Sequence, residues 1–346
     1  MNTSLKNAAA QVQPARQSQP ARRRRLAAAA TSFALGLLAV PGIAQAADTW
    51  PSRPVVVISP YPPGGTNDVV ARAVADRLGQ LLGQPFVVEN RAGAAGILGT
   101  SGVVRAAADG YTLLSANNGA LVVQSVVKSH SPYDPARDLT AIAKFADSPN
   151  FIGVSASLPV SNVSELIALA RRQPGQLNYG SSGSGSFGNF SGELFKAETG
   201  VDIVHVPFRG SAAAVTDLAA GRVQVMFDPL VLPQAGAGKI KVLAALTHHR
   251  TAGQPDIPTV KEAGGPDFEL KGWFGLFGPR GLPKEVVDKL AAAAEKIAAE
   301  AELKAQFLRA GLEPTYAGPA AFSAIVRDDL ARYADIKQRA RIEQVE

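Results

Sequence analysis

Short apolar runs alternate with helix-patterned stretches along most of this chain, and that alternation restricts its fold more than any other feature. Val55-Val56-Val57-Ile58 reads as a buried strand and Val69 to Leu82 as a helix. Pro85 to Asn90 is a second strand, Arg91 to Gly96 a loop, and Ile97 to Ala107 a short helix. Asp109-Gly110 turns the chain into the strand Tyr111 to Leu114. The theme repeats with the strand Phe151 to Val154, the helix Ser161 to Arg172 and the strand Leu177 to Tyr179. Val201 to Val206, the helix Ser211 to Ala220, Val223 to Phe227 and Ile240 to Leu246 continue it. Trp273 to Gly278 is an apolar strand that crosses back, before helices at Pro283 to Glu300 and Phe322 to Ala340. This pattern predicts an α/β fold in which helices flank mainly parallel sheets. Its repetition over this length predicts two lobes, with crossings near Phe145 to Val154 and Gly272 to Gly278. The expected lobes are residues 47–149 plus 275–346, and residues 150–274.

The first 46 residues read as an export signal. Arg22-Arg23-Arg24-Arg25 is a basic head, Leu26 to Val40 an apolar stretch, and Ala44-Gln45-Ala46 a small-residue cleavage site. An uncleaved anchor is the alternative, but the apolar stretch is short for a membrane span. The arginine run leaves a twin-arginine export route open beside the general one. Six of the 35 basic residues (Lys6, Arg16 and the four arginines) precede Asp48, the first of the 29 acidic residues. The rest of the chain is therefore formally neutral, and nucleic acid and anionic membrane lose their electrostatic support as partners. The absence of cysteine excludes disulfides, thiolate metal sites and lipidation through cysteine. An exported chain of this kind relies on its core alone, and it is expected to be a periplasmic monomer.

Two glycine-rich turns sit where a strand gives way to a helix. The first is Tyr61-Pro62-Pro63-Gly64-Gly65-Thr66-Asn67-Asp68, and the second is Gly180-Ser181-Ser182-Gly183-Ser184-Gly185-Ser186. Glycine lets the backbone approach a ligand closely, and the unpaired N–H groups and dipole of a helix start favour an anion. Two such cradles facing each other are suited to one carboxylate-bearing molecule in a cleft between lobes.

These motifs resemble those of the Bug/TctC family, the periplasmic solute receptors of tripartite tricarboxylate transporters. Pro63-Gly64-Gly65-Thr66-Asn67-Asp68-Val69-Val70-Ala71-Arg72 is similar to the family's PGGxxDxxAR signature. Glu89 to Gly96 resembles its ENRxGAxG loop, Asp109 to Leu114 its DGYTLL element, and Gly180 to Ser186 its GSxGxGS turn. Val206-Pro207-Phe208-Arg209-Gly210 resembles VPYKG, and Asp256 to Gly264 resembles DVPTxxEAG. The matches run in order from about Trp50 onward. The resemblance implies a two-lobed periplasmic binding protein of the type II-like kind that closes on a small carboxylate. It implies backbone amides and ordered water as the grip, a transporter or sensor as partner, and no cofactor. Asn189 departs from the histidine that members often carry there; asparagine donates and accepts but carries no charge.

The candidate ligand contacts at the first turn are Tyr61, Pro63, Gly64, Gly65, Thr66, Asn67 and Asp68. Asp68 is expected to order the loop or a water, since an acid repels a carboxylate. At the second turn they are Ser181, Ser182, Gly183, Ser184 and Ser186, with Asn189 beyond. Phe208, Arg209, Gly210 and Ser211 form a third turn before a helix, where Arg209 is either a solvated charge or the partner of a distal carboxylate. Asp228, at the end of a strand, either faces the cleft or caps a turn. Asn118, with Asn117, fits a cleft wall or a turn. Phe151, Phe187, Phe190 and Phe208 suit the core or an apolar ligand.

Other chemistries find less support. Gly183 to Gly188 matches G-x-G-x-x-G, but no acid ends the next strand to take a ribose hydroxyl. His248 and His249 are adjacent and, on a strand, point to opposite faces. His205 lies in an apolar run and reads as a core histidine. A serine hydrolase using Ser181 to Ser186 is the alternative function, and it lacks an evident general base.

Overall fold

The computed structural model describes residues 50–345, and the expected signal segment over residues 1–46 lies outside the described residues. The chain opens with β1 (Val55–Ser59), α1 (Thr66–Leu82), β2 (Phe86–Asn90), α2 (Ile97–Val104) and β3 (Thr112–Asn117). A π-helical turn at Gly119–Val123 leads into α3 (Gln124–Val127), and α4 (Pro135–Asp138) precedes β4 (Leu139–Pro149). The middle of the chain forms β5 (Phe151–Ser155), α5 (Val163–Arg172), β6 (Asn178–Ser181), α6 (Phe187–Thr199) and β7 (Val204–Pro207). It continues with α7 (Ser211–Ala219), β8 (Val225–Phe227), α8 (Val231–Ala235) and β9 (Ile240–Ala245). The chain ends in β10 (Lys271–Pro279), α9 (Lys284–Ala299), α10 (Ala301–Arg309), β11 (Glu313–Ala317) and α11 (Pro319–Arg339).

Local chemistry accounts for these elements. In α1 the apolar residues Val70, Val74 and Leu78 recur every four positions and are buried. They join Leu290 and Ile297 of α9 in one apolar cluster. Each such side chain contributes about 1.5–3 kcal/mol by leaving water. Gly83 ends the helix in the left-handed region (φ 74°), where its N–H bonds the carbonyl of Gly79.

The strands form two sheets, ordered β11-β4-β10-β3-β1-β2 and β7-β6-β8-β5-β9. Both are mixed, which corrects the expectation of mainly parallel sheets. β1 runs parallel to β2 and β3, but β10 is antiparallel to β3 and β4, and β11 to β4. β6 is parallel to β7 and β8, while β5 is antiparallel to β8 and β9. The parallel pairs belong to strand–helix–strand units, whose crossover helices enforce that direction. β4 instead runs into β5 through Asn150 alone, and β10 enters the first sheet from Lys271, ahead of the expected boundary at 275.

This topology places a cleft. β1 lies between β2 and β3, and β6 between β7 and β8, so consecutive connections leave each strand to opposite sides. Crevices form at the carboxyl ends of such strands. The crossing at Lys271 is tied down by α11: the Tyr333 hydroxyl donates to the Lys271 carbonyl (3.0 Å) and accepts from Asn118 Nδ2 (2.9 Å).

Candidate functional site

A cavity of about 260 Å³ lies where the two lobes meet. Its first wall is the turn between β1 and α1. Gly64 takes φ 83°, a conformation that favours glycine, and delivers the chain to Gly65 at the start of α1. No side chain caps this helix, and Gly65, Thr66 and Asn67 line the cavity with Tyr61 and Pro63. The first N–H groups of a helix have no intrahelical partner, so this end is a standing set of donors. The Thr66 hydroxyl is buried and has no hydrogen-bond partner among the described residues.

The neighbouring polar residues hold that turn in shape. Asn67 Nδ2 donates to Ser59 Oγ (2.9 Å) and the Ser115 carbonyl (3.0 Å). Asp68 does not line the cavity; its carboxylate accepts from the Gly64 N–H (3.0 Å), Arg72 Nε (3.0 Å) and Asn90 Nδ2 (2.8 Å). Burial works against its ionisation, but the Arg72, Gly64 and Asn90 hydrogen bonds outweigh it and hold its pKa below the usual range. Gly64 also stays off the cavity wall. Tyr61 presents its hydroxyl to the Ala95 carbonyl (3.2 Å) and Asn117 Oδ1 (3.3 Å), and burial raises its pKa.

The opposite wall is the turn before α7. Gly210 (φ 156°) is the first residue outside that helix; again no side chain caps it, and Gly210, Ser211, Ala212 and Ala213 line the cavity. Asp228, beyond β8, shares this wall; its Oδ2 accepts from the Ser211 hydroxyl (2.5 Å) and its Oδ1 from the Leu230 N–H (2.8 Å). Burial raises its pKa despite those two bonds. Arg209 is exposed at the same wall, with no hydrogen bond or ion pair among the described residues.

The serine-rich turn has a smaller part in the cavity than its composition suggests. Ser186 caps α6, its Oγ accepting from the Asn189 N–H (3.3 Å). Asn189 Oδ1 accepts from the Gly185 N–H (2.8 Å), and its Nδ2 donates to the Tyr179 hydroxyl (2.8 Å). Ser186 thus takes one N–H of this helix start, while Phe187 and Gly188, its first two residues, line the cavity. Ser181 is buried, hydrogen-bonded to Gly183 and 2.7 Å from His205 Nε2. Of the predicted second cradle only Ser182 reaches the cavity; Ser181, Gly183, Ser184, Ser186 and Asn189 do not, nor does Phe208 of the third turn. Gly183, Ser184 and Phe208 border a neighbouring groove instead.

Asn118, Arg209, Gly210 and Asp228 lie on the cavity wall. Sequence reasoning missed Ser148 and Asn150, which line it at the crossing between sheets, and Phe274 and Phe227, which read as strand core. Polar residues interrupting the apolar run where the chain changes sheets were the available signal. The capping of α6 was also written in the spacing of Ser186 and Asn189, three residues apart. His248 pairs with Asp267 (3.1 Å) rather than with His249. Among the described residues no group of three or more His, Asp or Glu side chains is placed to hold a metal. No helix among them is long and apolar enough to cross a membrane.

Known proteins resemble this chain over most of its length. The model of the tripartite tricarboxylate transporter family receptor matches residues 70–342. Protein BugT of Bordetella pertussis (strain Tohama I) is 36% identical over 305 residues, 86% of this chain and 93% of BugT. The solved structure of R. palustris Rpa4515 with adipate superposes with a TM-score of 0.83 at 38% identity, covering 86% of this chain and 100% of that one. The periplasmic binding protein BugD superposes at 0.81 with 30% identity, over 86% of this chain and all of BugD.

Proposed function

This chain belongs to the tripartite tricarboxylate transporter receptor family, and from that premise we propose that it is an exported periplasmic receptor for a small organic carboxylate. Its signal segment is removed near Ala46, and the mature monomer delivers its ligand to a membrane transporter or a sensor. The observation that carries this reading is the convergence of two uncapped helix starts, α1 and α7, on one cavity. Backbone N–H groups and two positive dipole ends attract an anion without a buried salt bridge. The adjacent walls of Phe187, Phe227 and Phe274 suit an apolar ligand body. The bodies that close on it are residues up to 149 with those from about 271, and residues 150–270, which meet at the crossings between sheets. The adipate bound to the R. palustris relative supports a carboxylate as the ligand class.

The hydrogen-bonded pair Ser181 and His205 gives a hydrolase reading its one concrete feature. Ser181 is 1% exposed, off the cavity wall and engaged with Gly183, so it meets no substrate there. Burial also lowers the pKa of His205. We therefore assign binding without turnover. Thermal unfolding against a panel of organic acids tests the proposal, since a ligand of the native state raises apparent stability. Stabilisation by one or a few acids that are recovered unchanged is expected. No response to any acid, or conversion of an added ester, would contradict it.

A further inference from the structure

We propose that Tyr333 is a positioning residue for ligand capture: it holds the amide of Asn118 in one orientation on the cavity wall without touching the ligand itself. The inference rests on the carboxylate-receptor reading and deepens it. Tyr333 lies on α11, is fully buried and is not part of the cavity wall, whereas Asn118 is.

Proton placement sets the orientation. The Tyr333 hydroxyl has one hydrogen, and the Lys271 carbonyl, 3.0 Å away, can only accept. The phenol oxygen therefore accepts from Asn118, and the amide atom that faces it, 2.9 Å away, is Nδ2. Burial raises the pKa of Tyr333, so the phenol keeps its hydrogen. The Asn118 side chain makes no other hydrogen bond among the described residues, which leaves its second amide hydrogen and its Oδ1 for a guest in the cavity.

The surroundings keep both partners in place. The Tyr333 ring packs against Phe190 and Phe187 of α6, with centroids 5.3 and 6.4 Å away. Lys271 begins β10 and pairs with Pro149 at the end of β4, so the hydroxyl is anchored where the two crossings run side by side. Gly272 leaves room for the amide, because a Cβ built there would overlap Asn118 Oδ1.

Calorimetry well below the melting temperature tests this, with whichever of butanedioate, hexanedioate, benzoate and glutamate most raises the melting temperature of the parent. Tyr333→Phe keeps the ring and removes the acceptor. Affinity is expected to fall about tenfold, because a buried amide without its partner is free to turn. Asn118→Ala should lose at least as much, and adding Tyr333→Phe to it should cost less than about twofold more, since both changes remove one interaction. Gly272→Ala displaces the same amide without altering Tyr333, and should likewise weaken binding about tenfold alone and less than about twofold beside Asn118→Ala. A purely structural role for Tyr333 would lower stability and leave affinity in place. Affinity of Tyr333→Phe within about twofold of the parent, or losses that multiply in the double variant, overturns the assignment and leaves the receptor reading intact. If Tyr333→Phe does not fold, Gly272→Ala decides by the same two criteria. Binding of none of the four acids by the parent overturns both.

Discussion

Gly210 touches the opposite lobe, which makes Gly210→Ala a direct probe of closure. A Cβ built there lies 3.1 Å from both Cδ and Cγ of Pro62, on the turn before α1. Two costs follow, and they fall on different equilibria. The backbone at φ 156° and ψ 163° is nearly reserved for glycine, so alanine costs about 1–3 kcal/mol of folding stability whichever way the lobes sit. The contact with Pro62 is made only when the lobes stand as they do in this structure. Relieving it requires a shift of a few tenths of an ångström, at a cost of about 1 kcal/mol, which is roughly fivefold in affinity. Gly200→Ala is the control. Gly200 also has positive φ (67°), yet nothing lies within 4 Å of its added Cβ. Denaturant unfolding reads stability, and calorimetry reads affinity for the acid that most raises the melting temperature. Gly210→Ala should lose both stability and affinity, and Gly200→Ala stability alone. Equal affinities for the two variants would refute the claim that these turns close on the ligand.

Three further outcomes are expected. Thr66→Val removes a buried, unpartnered hydroxyl at nearly constant volume; stability should hold or rise by about 1 kcal/mol while acid binding weakens, and a marked loss of melting temperature would show that the hydroxyl already had a partner. Asp228 is harder to ionise folded than unfolded, so its contribution is fully present below its ordinary value of 3.8 and is lost as pH rises through the raised one. Asp228→Asn should therefore gain stability relative to the parent as pH rises through that window, and a difference independent of pH in denaturant titrations would contradict the burial. Ser181→Ala breaks the bonds to Gly183 and His205 and should cost about 1 kcal/mol of stability with affinity unchanged within about twofold, whereas a tenfold affinity loss in calorimetry would put Ser181 on the ligand.

Much of the first wall was legible because its chemistry is local. Gly64-Gly65 after the apolar run Val55 to Ile58 leaves few backbone solutions, and Asp68 orders that loop through Arg72 and Asn90 instead of touching the cavity. The serine-rich turn contributes less to the cavity than its composition suggests, for a reason that is also local. Composition drew attention to four serines, but only Ser182 of them lines the cavity, and Ser186 takes one N–H of the α6 start, whereas Gly210 leaves α7 without a side-chain cap. The mixed sheets escaped because periodicity marks strands and not their direction; β4 to β5 has no helix to impose one. Phe227 and Phe274 look the same in sequence whether they face core or cavity. Ser148 and Asn150 come to the cavity only because the chain changes sheets between β4 and β5, a long-range fact.

The central claim is that two open helix starts from opposing lobes grip one anion. Backbone amide shifts in the ¹⁵N-labelled protein, followed as a stabilising acid is added, test it most directly. The account requires the largest shifts at Gly65, Thr66 and Asn67 together with Ser211, Ala212 and Ala213. Shifts confined to the serine turn from Gly183 to Ser186, or to only one of the two helix starts, would contradict it.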